Sequence, residues 1–437
     1  MSKLEIANPW GPYGLSEDPY FQQALEPFAQ SRPMSLFVGR DPEVQLLGNQ
    51  IVGSSSSRAI VQGAAGVGKT SFVNRLKVVL AEHNVLTHQA PVRVERGMTP
   101  RRFVAAVLKV LNQMRAAADT STQNADLGTA KSRLAKAPPL SKEARFWQKI
   151  GRIVDGEDSI AGGVNVLRVG AQHERIRIPP EVSEMALDEE LRQAIEYLSH
   201  RGRRRVLIHV NNLENLSAVD VGAAAVLMRD VRDCLLTDHS HWLFVGTTGI
   251  ADAVFGQSAQ VRGIIPHTIT LGALAPNEVE LLLNRRYEHL RRGRKLVPPV
   301  SAEAAAELYA RYDGQLRDFL RLLSGAVQRQ AGLAPGAPLA ADQVVNLMAP
   351  RYYAEQLVAK IGDGDSGHLA TIFRNQKLSE TFRVTDAAKA IGITQASASK
   401  FVQRLLAAGI IVQASAAGRN IYYQLAHGDN TIALRLL

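Results

Sequence analysis

Residues 63–70 read Gly63-Ala64-Ala65-Gly66-Val67-Gly68-Lys69-Thr70, a full match to the phosphate-binding pattern GxxxxGK[ST]. Ahead of it, Arg58-Ala59-Ile60-Val61-Gln62 is a short apolar run with strand character. Behind it, residues 71–80 carry apolar side chains at helical spacing. A strand, a glycine loop and a helix start give the motif its chemistry. The glycines let backbone N–H groups approach phosphate oxygens, and the helix N-terminus adds a favourable dipole. In this frame Gly63, Gly66, Val67, Gly68, Lys69, Thr70 and Ser71 form a cradle. Lys69 is placed to bridge the β- and γ-phosphates, and the Thr70 hydroxyl to ligate Mg²⁺. The chain is expected to bind a nucleoside triphosphate.

Working outward, residues 36–275 alternate strand-like and helix-like segments, the pattern of a parallel α/β sheet with flanking helices. Strands are expected at 58–62, about 90–95, 205–211, 242–247 and 267–271. A helix near 99–115 opens at Thr99-Pro100. An insertion over 116–178 interrupts the pattern. Its first part, 116–142, lacks an apolar face and is expected to be loop. Its last part, 164–178, has the alternation of a β-hairpin. Residues 276–350 read as a helical lid and 351–437 as a separate unit. Residues 1–35, rich in Pro, Gly and aromatics, read as an arm packed on the 36–275 domain.

The 437 residues carry a net charge of +10, which favours a polyanionic partner such as nucleic acid. A single cysteine, Cys234, excludes an internal disulfide and a cysteine zinc site. The first residues lack the layout of a signal peptide. No run of 18 apolar residues exists to span a membrane. A reducing, cytoplasmic setting is the expectation.

A phosphate loop of this kind works with a second strand ending in an acid that holds Mg²⁺ through water. The strand is present as Val206-Leu207-Ile208-His209-Val210, but Asn211 and Asn212 stand where acids are expected. An amide oxygen accepts hydrogen bonds yet lacks the charge and cannot serve as a general base. Glu214 follows and is a candidate substitute for the missing acid, although in a strand-to-loop segment it is expected to point elsewhere. The expectation is nucleotide binding with slow or absent hydrolysis.

In order along the chain, these motifs resemble the AAA+ superfamily, in its initiator branch that includes origin-recognition ATPases; the related STAND NTPases share the front end. Val38, Gly39 and Arg40, within Phe37-Val38-Gly39-Arg40-Asp41, resemble that branch's adenine-pocket box. The loop is its Walker A motif and 206–214 occupies the Walker B position. Trp242-Leu243-Phe244-Val245-Gly246-Thr247-Thr248 resembles the sensor-1 strand, which implies that Thr247 or Thr248 faces the γ-phosphate. Gly314-Gln315-Leu316-Arg317 resembles the sensor-2 motif, which implies that Arg317 reaches the γ-phosphate from the lid. Arg262 lies where the family keeps an arginine finger, which implies a homo-oligomer.

Residues 366–437 hold eight basic residues against three acids. They read as helix (384–391), glycine turn, helix (394–406) and a hairpin with Gly418-Arg419 at its tip. This order resembles the winged helix-turn-helix of bacterial transcription regulators and of initiator C-termini. The resemblance implies double-stranded DNA as partner, with Gln395, Ser397, Ser399 and Lys400 facing bases or phosphates, Arg404 near the backbone and Arg419 on the wing. Two further basic clusters, 201–205 and 285–295, are left as solvated faces or as channel walls in an oligomer. The whole reads as an ATP-dependent DNA-binding protein that assembles on DNA, of initiator, transposition-regulator or mobile-element/defence type. A STAND-type signalling switch and an ATP-responsive transcription regulator are the alternatives.

Overall fold

The computed structural model describes residues 8–27, 30–126, 141–155, 184–199, 204–217, 221–256, 259–312, 314–331, 336–374, 381–417, 420–426 and 428–434. Its centre is a parallel sheet of β1 (Ser57–Gly63), β2 (Val85–Thr87), β3 (Val92–Arg93), β4 (Arg205–Asn211), β5 (Ser240–Gly246) and β6 (His267–Leu271). The strand order is β2-β4-β5-β1-β6, with β3 also paired to β4. Successive side chains of these strands enter opposite layers, as the pleat requires. Ala59, Val61, Leu207, Leu243 and Val245 pack against α1 (Asp41–Gly53) and α2 (Lys69–Ala81). Ile60, Val206, Ile208, Val210, Trp242 and Phe244 face the other layer.

That second layer holds α3 (Pro100–Asp126), α4 (Lys142–Asp155), α5 (Glu184–Ser199) and α7 (Val221–Asp230). The short helices α6 (Glu214–Ser217), α8 (Arg232–Leu235) and α9 (Ala259–Arg262) link the strands around it. Here the sequence expectation of loop from 116 is corrected, because α3 continues to Asp126. Ala116, Ala117 and Ala118 have the highest helix propensity, which sustains the turns without an apolar face. The hairpin expected at 164–178 lies outside the described residues.

After β6 come α10 (Pro276–His289), α11 (Ala302–Arg311), α12 (Leu316–Gln330) and α13 (Ala341–Tyr352). A π-helical turn over 353–358 leads into α14 (Ala359–Arg374), which kinks at Gly362, where φ is 78°. The chain then forms α15 (Val384–Ile391), α16 (Gln395–Ala407), the antiparallel hairpin β7 (Ile411–Ala417) and β8 (Asn420–Leu425), and α17 (Asp429–Ala433). The boundary expected at 350 is not a break in the core. Leu322, Val327, Met348, Phe382, Phe401, Leu405 and Ile432 belong to one buried cluster. The Tyr312 hydroxyl donates to Asp429, and Arg321 pairs with the same carboxylate.

The N-terminal arm packs on both units: Leu25 lies against Met34, Leu36 and Val78 beside α2, whereas Trp10, Tyr13, Leu15 and Tyr20 are buried in the cluster of the 276–350 helices. The lid offers what these rings need, because their hydroxyls find partners there. Tyr13 donates to the Ala337 carbonyl and Tyr20 shares a 2.8 Å hydrogen bond with Tyr287. Among the described residues, no helix is long and apolar enough to cross a membrane.

Candidate nucleotide site

β1 sits where the sheet divides. The chain leaves it for the far edge, returns through β4 and β5, and crosses to β6 on its other side. A crevice at the carboxyl ends of strands at such a point is where α/β sheets bind ligands. The loop 64–68 fills it. Gly66 and Gly68 take φ of 79° and 97°, a region that glycine alone enters freely. A Cβ on Gly63 would meet the Leu271 carbonyl oxygen at 2.7 Å, so the first glycine serves packing. A Cβ on Gly68 would meet nothing within 4 Å, so the space above the loop is open. No side chain caps α2 at Gly68. Its first N–H groups are therefore directed at an anion position.

Lys69 donates from Nζ to the Gly63 and Ala64 carbonyls at 2.8 and 3.0 Å, which holds its ammonium across the loop. Burial pushes this ammonium below the ordinary lysine range; the Glu214 carboxylate opposes that shift and the Arg317 guanidinium adds to it. Both charges thus act on Lys69. Glu214 is half-buried and opens α6, which turns the chain back at the end of β4. Arg317 arrives from the lid: a Cβ on Gly66 would lie 2.8 Å from Arg317 Cβ. Thr70 is exposed on the first turn of α2.

Ser71 departs from the cradle. Its Oγ accepts a hydrogen bond from the Leu25 N–H of the arm at 3.1 Å. One residue past Thr70 is a rotation of about 100° around the helix, which carries Ser71 to another face. Asn74, one turn on, donates to the Leu25 carbonyl at 2.8 Å.

Val38, Gly39 and Arg40 lie between the loop and the lid. Val38 is buried in the lid cluster. Arg40, at φ 62°, donates to the Val67 carbonyl of the loop and, at 2.7 Å, to the Gly272 carbonyl beyond β6. A Cβ on Gly39 would meet the Glu278 carboxylate at 2.5 Å. Glu278 in turn accepts from the Ala275 N–H, and the Tyr309 hydroxyl both accepts from Leu274 N–H and donates to the Gly314 carbonyl. Glu278 and Tyr309 hold the joint between core and lid. Sequence reasoning missed them because their partners are backbone groups that no motif spells out.

Asn211 ends β4 beside Arg93 of β3, and its Oδ1 accepts from the Asn212 N–H at 2.9 Å. Asn212 has φ 65°, a left-handed conformation that asparagine tolerates. Thr247 is half-buried and Thr248 exposed at the end of β5, next to β1, where Gly246 pairs with Gln62. Arg262 is exposed and donates to the Gly256 carbonyl, and it is not brought to the Lys69 cluster.

In the C-terminal elements, Gly392 (φ 75°) ends α15 and Thr394 caps α16 through the Ser397 N–H. Ala398, Phe401, Val402 and Leu405 are buried, whereas Gln395, Ser397, Ser399 and Lys400 are exposed on the outward face. Arg404 is exposed and pairs with Asp365 of α14, at 2.8 and 2.9 Å. That pairing joins residues 39 apart in sequence and had no local signal. Arg419 lies outside the described residues.

No curated protein matches the chain in sequence. Among solved structures, it is similar to the Orc1 protein of Aeropyrum pernix, determined in complex with DNA, at 15% identity over 99% of this chain and 100% of that one, with a TM-score of 0.45. The Orc2 protein of Aeropyrum pernix is 12% identical over 96% and 97% of the two chains, with a TM-score of 0.49. A Walker-type ATPase of Pyrococcus abyssi is 11% identical over 95% and 99%, also at 0.49. The sheet with its glycine loop is a P-loop NTPase core, and residues 36–245 match the family model of the AAA ATPase domain.

Proposed function

We infer that the chain is an ATP-responsive DNA-binding protein of AAA+ type that assembles on duplex DNA. The observation that carries the reading is the meeting of lid and phosphate loop at Gly66 and Arg317, with Glu214 acting on the same lysine. The open space above Gly68, the uncapped start of α2 and the exposed Thr70 hydroxyl fit a Mg²⁺–triphosphate. The ion would be held by Thr70 and would neutralise phosphate charge when bound. Lys69 would exchange two carbonyl partners for phosphate oxygens, and Arg317 would add a second cation from the lid. Lid position thereby depends on whether a γ-phosphate is present.

Hydrolysis is slow in this reading. The Asn211 amide oxygen is neutral and turned onto its own chain, and Asn212 cannot take a proton from water. Arg262, exposed on α9, would act on the nucleotide of a neighbouring copy. The output is the outward face of α16, with β7–β8 as the wing of a winged helix. A signalling switch with a covered helix-turn-helix fits less well, because Gln395, Ser397, Ser399 and Lys400 are exposed.

Light scattering and duplex anisotropy, each with and without ATP, test the proposal. Assembly is expected only with ATP and duplex together. Lys400→Ala is expected to reduce the slope of log affinity against log salt by about 1, the share of one phosphate contact. Duplex binding indifferent to both ATP and Lys400→Ala would overturn it.

A further inference from the structure

The lid carries a second cationic element that neither the nucleotide site nor α16 uses. It is the loop Arg291-Arg292-Gly293-Arg294-Lys295 after α10. All five residues are exposed. Exposed basic loops are usually loose, and ordering them on a polyanion costs conformational entropy. This one is held in shape. Leu15 of the arm forms an antiparallel bridge with Arg291. Ser16 N–H donates to the Leu290 carbonyl, Arg292 N–H to the Gly14 carbonyl at 2.7 Å, and Val297 N–H to the Tyr13 carbonyl. Gly14 is required there, because a Cβ would sit 2.0 Å from the Lys295 carbonyl oxygen.

Within the loop the arginines divide the work. Arg291 is an internal brace: its guanidinium donates to the Gly293 and Arg294 carbonyls and pairs with Glu288. Arg292, Arg294 and Lys295 make no ion pair among the described residues. Glu288 is thus spent on the brace, and three exposed cations stand on a fixed backbone.

We propose that Arg292, Arg294 and Lys295 form a second contact for the phosphate backbone of duplex DNA, carried by the lid. The inference rests on the DNA reading above, since a duplex is the polyanion that reading already supplies. Three charges within four residues form a compact cationic element, and duplex DNA presents a dense row of phosphates to meet it, one charge per about 1.7 Å of helix axis. The contact is independent of sequence, because it offers guanidinium and ammonium groups to phosphates and no apolar or amide group to a base. Placed on the lid, it lets the element that senses nucleotide also hold DNA.

The test is the salt dependence of duplex binding by the full chain carrying Arg292→Gln, Arg294→Gln and Lys295→Gln, beside wild type and Lys400→Ala. The slope is expected to fall by about 2 to 3, with affinity lost roughly eightfold per contact at about 0.1 M salt. Gly14→Ala, which keeps every charge but displaces the Lys295 carbonyl, is expected to weaken binding as well. If Lys400→Ala lowers the slope and the triple variant does not, the lid contact is refuted while the DNA reading stands. If wild type binds no duplex, both fall. Anionic vesicles bound by wild type but not by the triple variant, with duplex binding unchanged, would reassign the loop to lipid and overturn the proposal.

Discussion

Gly66→Ala should weaken the joint between phosphate loop and lid, and a double-mutant cycle with Arg317→Gly should expose why. Residue 66 has φ 79°, so an L side chain there costs about 1–2 kcal/mol before any contact is considered. Its Cβ would then lie 2.8 Å from Arg317 Cβ, against a carbon–carbon optimum of about 3.5–4.0 Å. Roughly 0.7 Å or more of retreat is needed, and Arg317 cannot supply it alone. It sits on the first turn of α12, whose Phe319 and Leu320 are fixed in the buried lid cluster. Overpacking of this kind costs about 1–3 kcal/mol. Gly68→Ala is the control: φ is 97° but nothing lies within 4 Å, so only the conformational cost applies. Arg317→Gly removes the opposing Cβ and leaves Arg317 N and Cα at 3.5 and 3.8 Å, ordinary contacts. Urea unfolding without nucleotide should therefore rank Gly66→Ala below Gly68→Ala, and the cycle should give a favourable coupling of about 1–3 kcal/mol. A coupling below about 0.5 kcal/mol, the scatter of independent sites, refutes the contact.

Steady-state ATP turnover is expected below about 1 s⁻¹, the low end of ordinary enzyme rates. Asn211→Asp, which supplies the missing charge at the end of β4, should raise it at least about tenfold; a wild-type rate above about 1 s⁻¹ sinks the argument. Acid should destabilise the fold. Burial holds His209 and His88 below the ordinary histidine range and His241 down to about 4, so each binds a proton more readily in the unfolded chain than in the folded one. Their effect is nil above about pH 6.5 and grows as pH falls. For His241 alone, the gap down to about 4 corresponds to about 3 kcal/mol at about 1.4 kcal/mol per unit. Urea midpoints at pH 7.5 and 4.5 should differ accordingly, and the difference should shrink in His241→Gln; equal midpoints would contradict the burial argument.

The parts of the fold that were legible in sequence share a physical cause, in that local pattern and tertiary role coincide. The glycine loop is set by its motif, and β1, β4 and β5 are apolar runs that the sheet buries on both sides, whereas β6, at the sheet edge, alternates and buries only Ile269 and Leu271. β2 spans only Val85–Thr87, too short for alternation to register. α4 places Phe146, Trp147, Ile150, Ile153 and Val154 in the core at helical spacing, a signal that was present but hidden by the insertion's polar flanks. The site residues divide in the same way. Lys69 and Arg317 announce themselves by motif. The bonds made by Ser71 and Arg404 depend on Leu25 and Asp365, distant in sequence.

Among the described residues, core and lid meet at the 272–278 connection held by Arg40, Glu278 and Tyr309, at Gly66 and Arg317, at Arg285, which donates to the Ser35 and Phe37 carbonyls, and through the arm. The arm decides how the lid moves. Arg286 donates to the Pro19 and Phe21 carbonyls and lies 3.9 Å from the Phe21 ring centroid; Tyr20 bonds Tyr287 and Asp18 accepts from Ser324. On the core side Leu25 makes two bonds, to Ser71 and Asn74. A lid rotation that withdraws Arg317 must break one set or the other. Two neutral bonds at about 1 kcal/mol each and the burial of Leu25 against Met34, Leu36 and Val78 at about 2 kcal/mol hold the core side. The lid side combines buried charge-assisted bonds, a cation–π contact, a hydroxyl pair and the buried Trp10, Tyr13 and Tyr20 rings, worth more than that. The weaker attachment is at Leu25, so the arm travels with the lid. Its departure frees the Ser71 hydroxyl and the Asn74 amide on the helix that begins at Lys69, and this ties the lid's position to the helix that carries the phosphate loop.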